Sequence, residues 1–339
     1  MRMPSAKKCF GITVVLVAVI VAFARNFIRK PIERWDIPNL SKRTFLVVGS
    51  TSGIGMETMR CLSEWGAGTV VAANRNIRRS MQVAKGYKNV VHKHVDLTSF
   101  RSVRNFVNRI KDDVQSGELE QFDVLILNAA TTADKVTGDG VDMQYQVNHL
   151  SHFLLVNLML KHKLVKQSGD VRVIFVSSSM HRMGHINKEA YSAESRNVNP
   201  TSRVGGVNLY SDTKLMNVMI AVEFNDRYNN IAAFSSLHPG FIQSMLDKSN
   251  SGFLIRTFMP YVRGLIARET REGALTQLRV ATDAALSNGG TGGRYFSDNC
   301  INSLCQGGFG LFDRINDEVM DPELRAWLWE TSVEIVGEI

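Results

Sequence analysis

Thr44-Phe-Leu-Val-Val-Gly-Ser-Thr-Ser-Gly-Ile-Gly55 is the stretch on which the fold turns. Its first five residues are β-branched, aromatic or aliphatic, the usage of a buried strand. Gly49, Gly53 and Gly55 then follow in the spacing G-x-x-x-G-x-G, and an apolar-periodic segment, Ile54–Trp65, runs on until Gly66. A glycine-rich turn between a strand and a helix lets backbone N–H groups and the helix N-terminus approach a diphosphate without side-chain obstruction. That geometry makes Gly49, Ser52, Gly53, Ile54 and Gly55 candidate cofactor-binding residues.

Further runs of the same kind are expected as strands at Thr69–Ala73, Val90–Val95, Val124–Leu127, Val171–Val176 and Ala232–Leu237, with a short last one at Arg294–Phe296. Amphipathic segments separate them. Alternation of this kind predicts an α/β fold, a doubly wound parallel sheet with helices on both faces. The long polar segment from His181 to Gly206 reads as a surface insertion. No repeat or linker divides the body, so a single domain over residues 31–339 is expected behind an N-terminal segment, residues 1–30.

The chain of 339 residues carries a net charge of +8, and the charge is unevenly placed. Nine of the basic residues and only Glu33 and Asp36 of the acidic ones fall within residues 1–43. The rest is nearly balanced, which argues against a nucleic-acid partner. The basic residues flank Cys9–Ala24, an unbroken apolar run. As a helix it would span about 24 Å at ~1.5 Å per residue. Phe27 and Ile28 extend it toward the ~30 Å of a bilayer core, with Arg25, Arg29 and Lys30 reaching the headgroups. It is expected to be a membrane-anchor helix, although Ala22-Phe23-Ala24 also has the form of a signal-peptide cleavage site. Four cysteines make no disulfide framework, and neither they nor the histidines have metal-ligand spacing, so no metal is expected. His92 and His94 on one strand, and His149 and His152 on one helix, read as packing or surface residues.

Tyr210-Ser-Asp-Thr-Lys214 carries the acid–base chemistry. Residues at i and i+4 share a helix face, so the ammonium of Lys214 is placed to stabilise a Tyr210 phenolate and lower its pKa. Ordinary helices also carry Tyr-x-x-x-Lys, and the pair gains meaning only beside the glycine turn.

Together, the glycine spacing and Tyr-x-x-x-Lys resemble the short-chain dehydrogenase/reductase superfamily, over about Thr44 to Val336. Within it the chain looks most like the membrane-anchored, retinol-dehydrogenase-like enzymes. The signs are the N-terminal apolar run, Asn74-Arg75 after strand two, Tyr-Ser-x-x-Lys, His238-Pro239-Gly240 and Leu328-Trp329-Glu330. The resemblance implies a Rossmann fold and makes Tyr210 the proton donor or acceptor and Lys214 its partner, which also holds the nicotinamide ribose. Ser178 would hydrogen-bond the substrate oxygen, and Asn148 would orient a water linked to the lysine. Asp96, with Leu97, would contact adenine, and Asn128 and Ala129 would line the nucleotide groove.

An acidic residue ending strand two would favour NAD(H). Here Arg75 offers a guanidinium suited to phosphate, which favours NADP(H) over NAD(H). Two positions depart from the family pattern: Val48 stands where threonine is usual, and Ala130 where glycine is. In this family the stretch after Pro239-Gly240 caps the substrate, and Phe253, Leu254, Ile255, Phe258, Met259 and Tyr261 would make that cap greasy. The expectation is an NADP(H)-dependent oxidoreductase interconverting a carbonyl and an alcohol on a retinoid, steroid or fatty aldehyde. It would be membrane-anchored at the endoplasmic reticulum or a related endomembrane, facing the cytosol, with a homo-oligomer open. The competing expectation is a silent nucleotide-binding scaffold, motivated by Val48 and Ala130.

Overall fold

A computed structural model of the protein describes residues 35–167, 169–197, 207–240, 269–287, 292–297, 300–302 and 315–339. The apolar run Cys9–Ala24, the greasy stretch Phe253–Ile266 and Cys305 lie outside the described residues. Among those described, no helix is long and apolar enough to cross a membrane.

Eight strands form one sheet in the order β3-β2-β1-β4-β5-β6-β7-β8. They are β1 Thr44–Val48, β2 Thr69–Asn74, β3 Val90–His94, β4 Val124–Leu127, β5 Arg172–Val176, β6 Ala233–His238, β7 Tyr295–Ser297 and β8 Cys300–Asn302. Seven run parallel, and β8 pairs antiparallel with β7. The parallel strands match the expected ones to within a residue or so at each end. The β8 edge was not foreseen, because three residues are too few to show a period.

β1 is buried along its whole length, because helices cover both faces. Alternate residues therefore feed two cores. Phe45 and Val47 pack with Met59 and Leu62 of α1 (Gly53–Glu64) and Leu278 of α7 (Thr270–Thr282). Leu46 and Val48 face the other core. There they join Phe106 of α3 (Phe100–Ser116), Phe153 of α4 (Ser151–Lys161) and Phe224 of α6 (Val207–Tyr228). Met216 and Met219, on α6, are fully buried core residues. Phe224 is the hub, with its ring centroid 5.2 Å from Phe234 and 4.7 Å from Trp329 of α8 (Pro322–Val336). Arg227 closes this cluster from outside, 4.4 Å above the Trp329 ring.

The order of strands reverses between β1 and β4, so the carboxyl ends of β1, β4 and β5 open a crevice at the switch point. Every candidate site residue lies along it or at its rim.

Of the segment expected as a surface insertion, residues 198–206 lie outside the described residues, and the part from His181 to Asn197 is anchored in the fold by several buried residues. His181, in a 3-10 turn (Ser179–Met183), Tyr191, in the short helix α5 (Lys188–Tyr191), and Ile186 between them are buried. The C-terminal part of the chain supplies the reason. Asn316 donates from Nδ2 to the carbonyls of His181, Arg182 and Gly184, and Glu318 accepts from Ile186 N–H at 2.9 Å. Tyr191 in turn donates to Asp212 at 2.5 Å.

Candidate active site

The glycine turn after β1 is built by exclusion of side chains. Gly49 (φ 83°) and Gly53 (φ 58°) have left-handed backbones, which glycine adopts without strain. A Cβ on Gly49 would come within 2.8 Å of the Ala129 Cα, and one on Gly55 within 2.3 Å of the Gly49 carbonyl oxygen. A Cβ on Gly53 would meet nothing within 4 Å. Gly49 and Gly55 thus close the turn against β4, whereas Gly53 leaves open space at the N-terminus of α1. Ser52, the N-cap, makes no side-chain capping bond and the first turn holds no acidic residue. The cradle therefore fits the diphosphate of a nicotinamide dinucleotide, with the N–H groups of Gly53, Ile54 and Gly55 at the helix end. Gly55→Ala should lower stability by about 2 kcal/mol, the usual cost of overpacking, read as a drop in Tm of the purified domain.

Two asparagines brace this turn. Asn74, ending β2, accepts from Ser50 N–H at 2.7 Å and donates to the Ser50 and Ser80 hydroxyls at 2.8 and 2.9 Å. Asn128 donates from Nδ2 to the Gly49 carbonyl at 2.9 Å. These two side chains brace the turn that directly follows Val48. Ala130 is unstrained too, since Lys163 is the only non-glycine residue of positive φ among the described residues.

Arg75 is exposed at the carboxyl end of β2. A second guanidinium, missed in the sequence, comes from α2 (Ile77–Val83): Arg79 donates from Nε to the Thr51 carbonyl of the glycine turn at 3.2 Å. The Arg-x-x-x-Arg spacing could have revealed it. Asp96 follows β3, and its Oδ1 accepts from the Thr98 N–H and hydroxyl at 3.0 and 2.8 Å. Leu97 is buried, and its carbonyl accepts from Ser151 at 2.7 Å.

Asn148 sits in a π-helical turn, Gln146–Leu150, an irregularity common at functional sites. Its Nδ2 donates to the Thr131 carbonyl at 3.0 Å and the Thr213 hydroxyl at 3.1 Å, while its Oδ1 accepts from Thr131 N–H at 2.8 Å. Both amide hydrogens are thereby used, and any water it orients would have to meet the remaining oxygens. His149 and His152 are buried packing residues, as expected, and no group of metal ligands exists among the described residues.

Ser178 follows β5, and Tyr210 and Lys214 lie on α6. The Ser178 side chain hydrogen-bonds Tyr210. Lys214 is 1% exposed, and its Nζ donates to the Val176 carbonyl at 2.9 Å and lies 5.6 Å from the centre of the Tyr210 ring. Ser177 fixes the helix against the strand by donating to the Lys214 carbonyl at 2.6 Å.

The electrostatics correct one expectation. Burial pushes the Tyr210 phenol up to about 12, and the Ser178 bond only partly opposes this. Burial also pushes the Lys214 ammonium down to about 7. The sequence led us to expect a lysine charge lowering the phenol pKa; in the folded site burial dominates both groups and disfavours both charged forms, and the lowering influence on the phenol comes from Ser178. Tyr210 is therefore fully protonated at neutral pH, the state of an acid.

A family profile for short chain dehydrogenase matches residues 43–221. Human retinol dehydrogenase 13 is 30% identical over 311 residues, covering 87% of this chain and 85% of the relative. The WW domain-containing oxidoreductase of Gallus gallus is 30% identical over 311 residues, covering 88% and 69%. Among solved structures, an uncharacterized protein from Mycobacterium paratuberculosis superposes with a TM-score of 0.64 at 26% identity, covering 89% of this chain and 96% of that one.

Proposed function

We propose a function on one premise: this chain belongs to the short-chain dehydrogenase family and is an oxidoreductase acting on CH–OH and C=O groups. The reading is an NADPH-dependent reduction of a carbonyl on a lipophilic molecule, carried out at a membrane surface.

The protonated phenol of Tyr210, hydrogen-bonded to Ser178 at the carboxyl end of the sheet, carries this reading. Bound nicotinamide would supply the hydride. Ser178 would hold the carbonyl oxygen where negative charge develops. Tyr210 would pass its hydroxyl proton to that oxygen, so the C=O becomes CH–OH. Lys214, whose proton affinity lies near neutrality, can then restore the proton to the phenolate. A phenol near 12 is a better acid toward a nascent alkoxide than a base toward an alcohol at neutral pH, which favours the reductive direction.

Arg75 and Arg79 at the groove mouth support NADPH. Each charge-assisted phosphate contact is worth about 1.5–3 kcal/mol, and about 1.4 kcal/mol is tenfold in affinity. The Arg75→Ala, Arg79→Ala double variant should therefore raise the KM for NADPH at least tenfold and leave that for NADH within twofold. Equal effects on both cofactors would remove the argument from these arginines.

The lipophilic substrate class rests on the names of the retinol dehydrogenase relatives and on the apolar residues Phe253–Tyr261. The membrane setting rests on the apolar, basically flanked run Cys9–Ala24. The test is a membrane fraction offered retinaldehyde, a steroid ketone and a long-chain fatty aldehyde, with NADPH or NADH. Faster oxidation of NADPH with at least one of these is expected. Failure of the purified protein to bind NADP(H) would sink the reading.

A further inference from the structure

We propose that His181 is a positioning residue, which holds the Ser178 hydroxyl at the substrate oxygen by gripping the Ser178 carbonyl; this rests on the role of Ser178 given above.

The Ser178 carbonyl receives two donors from one residue. His181 N–H donates to it at 3.0 Å, closing the 3-10 turn, and the His181 ring nitrogen Nδ1 lies 2.7 Å away. A carbonyl can only accept, so Nδ1 must carry the ring proton and Nε2 the lone pair. The ring is 0% exposed, and burial holds it neutral, with its pKa pushed down to about 4. It is therefore a fixed donor, not a titrating group.

The ring is held from elements far apart in sequence. Tyr295 of β7 places its hydroxyl 3.3 Å from Nδ1 and its ring 4.8 Å from the imidazole. His238, ending β6, stacks on the same tyrosine at 5.9 Å. Asn316 donates to the His181 carbonyl at 3.3 Å. The last strands of the sheet and the C-terminal region thus converge on one imidazole, which grips one carbonyl.

That carbonyl decides where the hydroxyl points. Ser178 lies at the junction of β5 and the turn, with extended backbone at φ −153° and ψ 155°. Its Oγ accepts from Met180 N–H at 3.3 Å and bonds Tyr210. Rotation about the Ser178 Cα–C bond would swing the turn that follows, carry Met180 N–H away from Oγ and break this arrangement. A second donor on the carbonyl opposes that rotation, and misplacement by about 1 Å can cost about 10²-fold in rate.

The test is a double-mutant cycle, using the carbonyl of the three-member panel that is reduced fastest. His181→Phe, which keeps a ring but no donor, should lower kcat 10- to 100-fold with the NADPH dissociation constant within twofold. His181→Asn, whose amide can put an N–H where Nδ1 stands, should recover most of the loss. With Ser178→Ala present, His181→Phe should cost nothing further. Additive losses, or no rescue by His181→Asn, would overturn the proposal. Unaltered turnover in Ser178→Ala alone would instead overturn the role of Ser178, and the proposal with it. Should His181→Phe fail to fold, His181→Gln, whose amide reaches the Nε2 position instead, replaces it in the cycle with the same two outcomes.

Discussion

Tyr210→Phe should lower carbonyl reduction by about 10³-fold while leaving NADPH binding intact. The substitution removes one oxygen and keeps the ring that faces Lys214 at 5.6 Å. What is lost is the proton donor and the acceptor or donor partner of Ser178. Positioned general acids contribute typically 10²–10⁴-fold, and among the described residues no neighbour can stand in. Lys214 is tethered to the Val176 carbonyl on the strand side, and Ser178, with the ordinary high pKa of an alcohol, is a poor acid. The glycine turn lies elsewhere in the crevice, so cofactor titration by protein fluorescence should be unchanged. Unchanged reduction of every carbonyl in the panel would refute the assignment of Tyr210. Loss of NADPH binding along with activity would show that the phenol serves the cofactor more than the substrate.

The parallel sheet was legible because strands covered on both faces must be apolar throughout, and Phe45-Leu-Val-Val48 shows that directly. The turn was legible because only glycine satisfies Gly49 and Gly55, where any Cβ meets backbone or Asn128. What the sequence hid were polar residues whose partners are remote. His181, Asn316 and Glu318 look like surface residues until the C-terminal region folds onto the turn after β5. Asn128 read as a groove residue and Asn74 only as a residue ending strand two, yet each spends its amide bracing the glycine turn. The sense of the Tyr210 shift was hidden as well. Spacing places an ammonium near a phenol, but only the fold reveals that neither has enough water around it to favour charge. The Asn148 π turn has no sequence signal of its own, since nothing in Gln146-Val-Asn-His-Leu150 separates a π turn from an α-helical one.

Acid should unfold this domain well before its carboxylates would demand it. His149 and His152 are pushed down to about 3, and His181 to about 4, in each case first by burial. The unfolded chain would protonate all three near 6.5. Between that value and the folded ones the unfolded state binds more protons, so stability falls as pH falls. At pH 5 each histidine stands about 1.5 pH units below its unfolded value, a loss of about 2 kcal/mol at ~1.4 kcal/mol per unit. Three together approach about 6 kcal/mol, a large part of the 5–15 kcal/mol of an ordinary domain. The partners leave no relief. The Ser332 hydroxyl donates to the Leu328 carbonyl at 2.7 Å, so His149 Nε2 must donate to it at 2.9 Å, and its bare Nδ1 is buried without a hydrogen-bond partner among the described residues. The Tm should therefore drop by more than 10 °C between pH 7 and pH 5. His149→Gln, which can keep the donor to Ser332 but cannot titrate, should flatten that slope by about a third. A Tm independent of pH over this range would contradict the burial argument. Because His149 lies in the π turn beside Asn148 and His152 Nδ1 meets the Asn148 carbonyl at 3.2 Å, protonation strikes the frame that holds Thr213 and the helix of Tyr210. Activity and fold should accordingly be lost together, over the same pH interval.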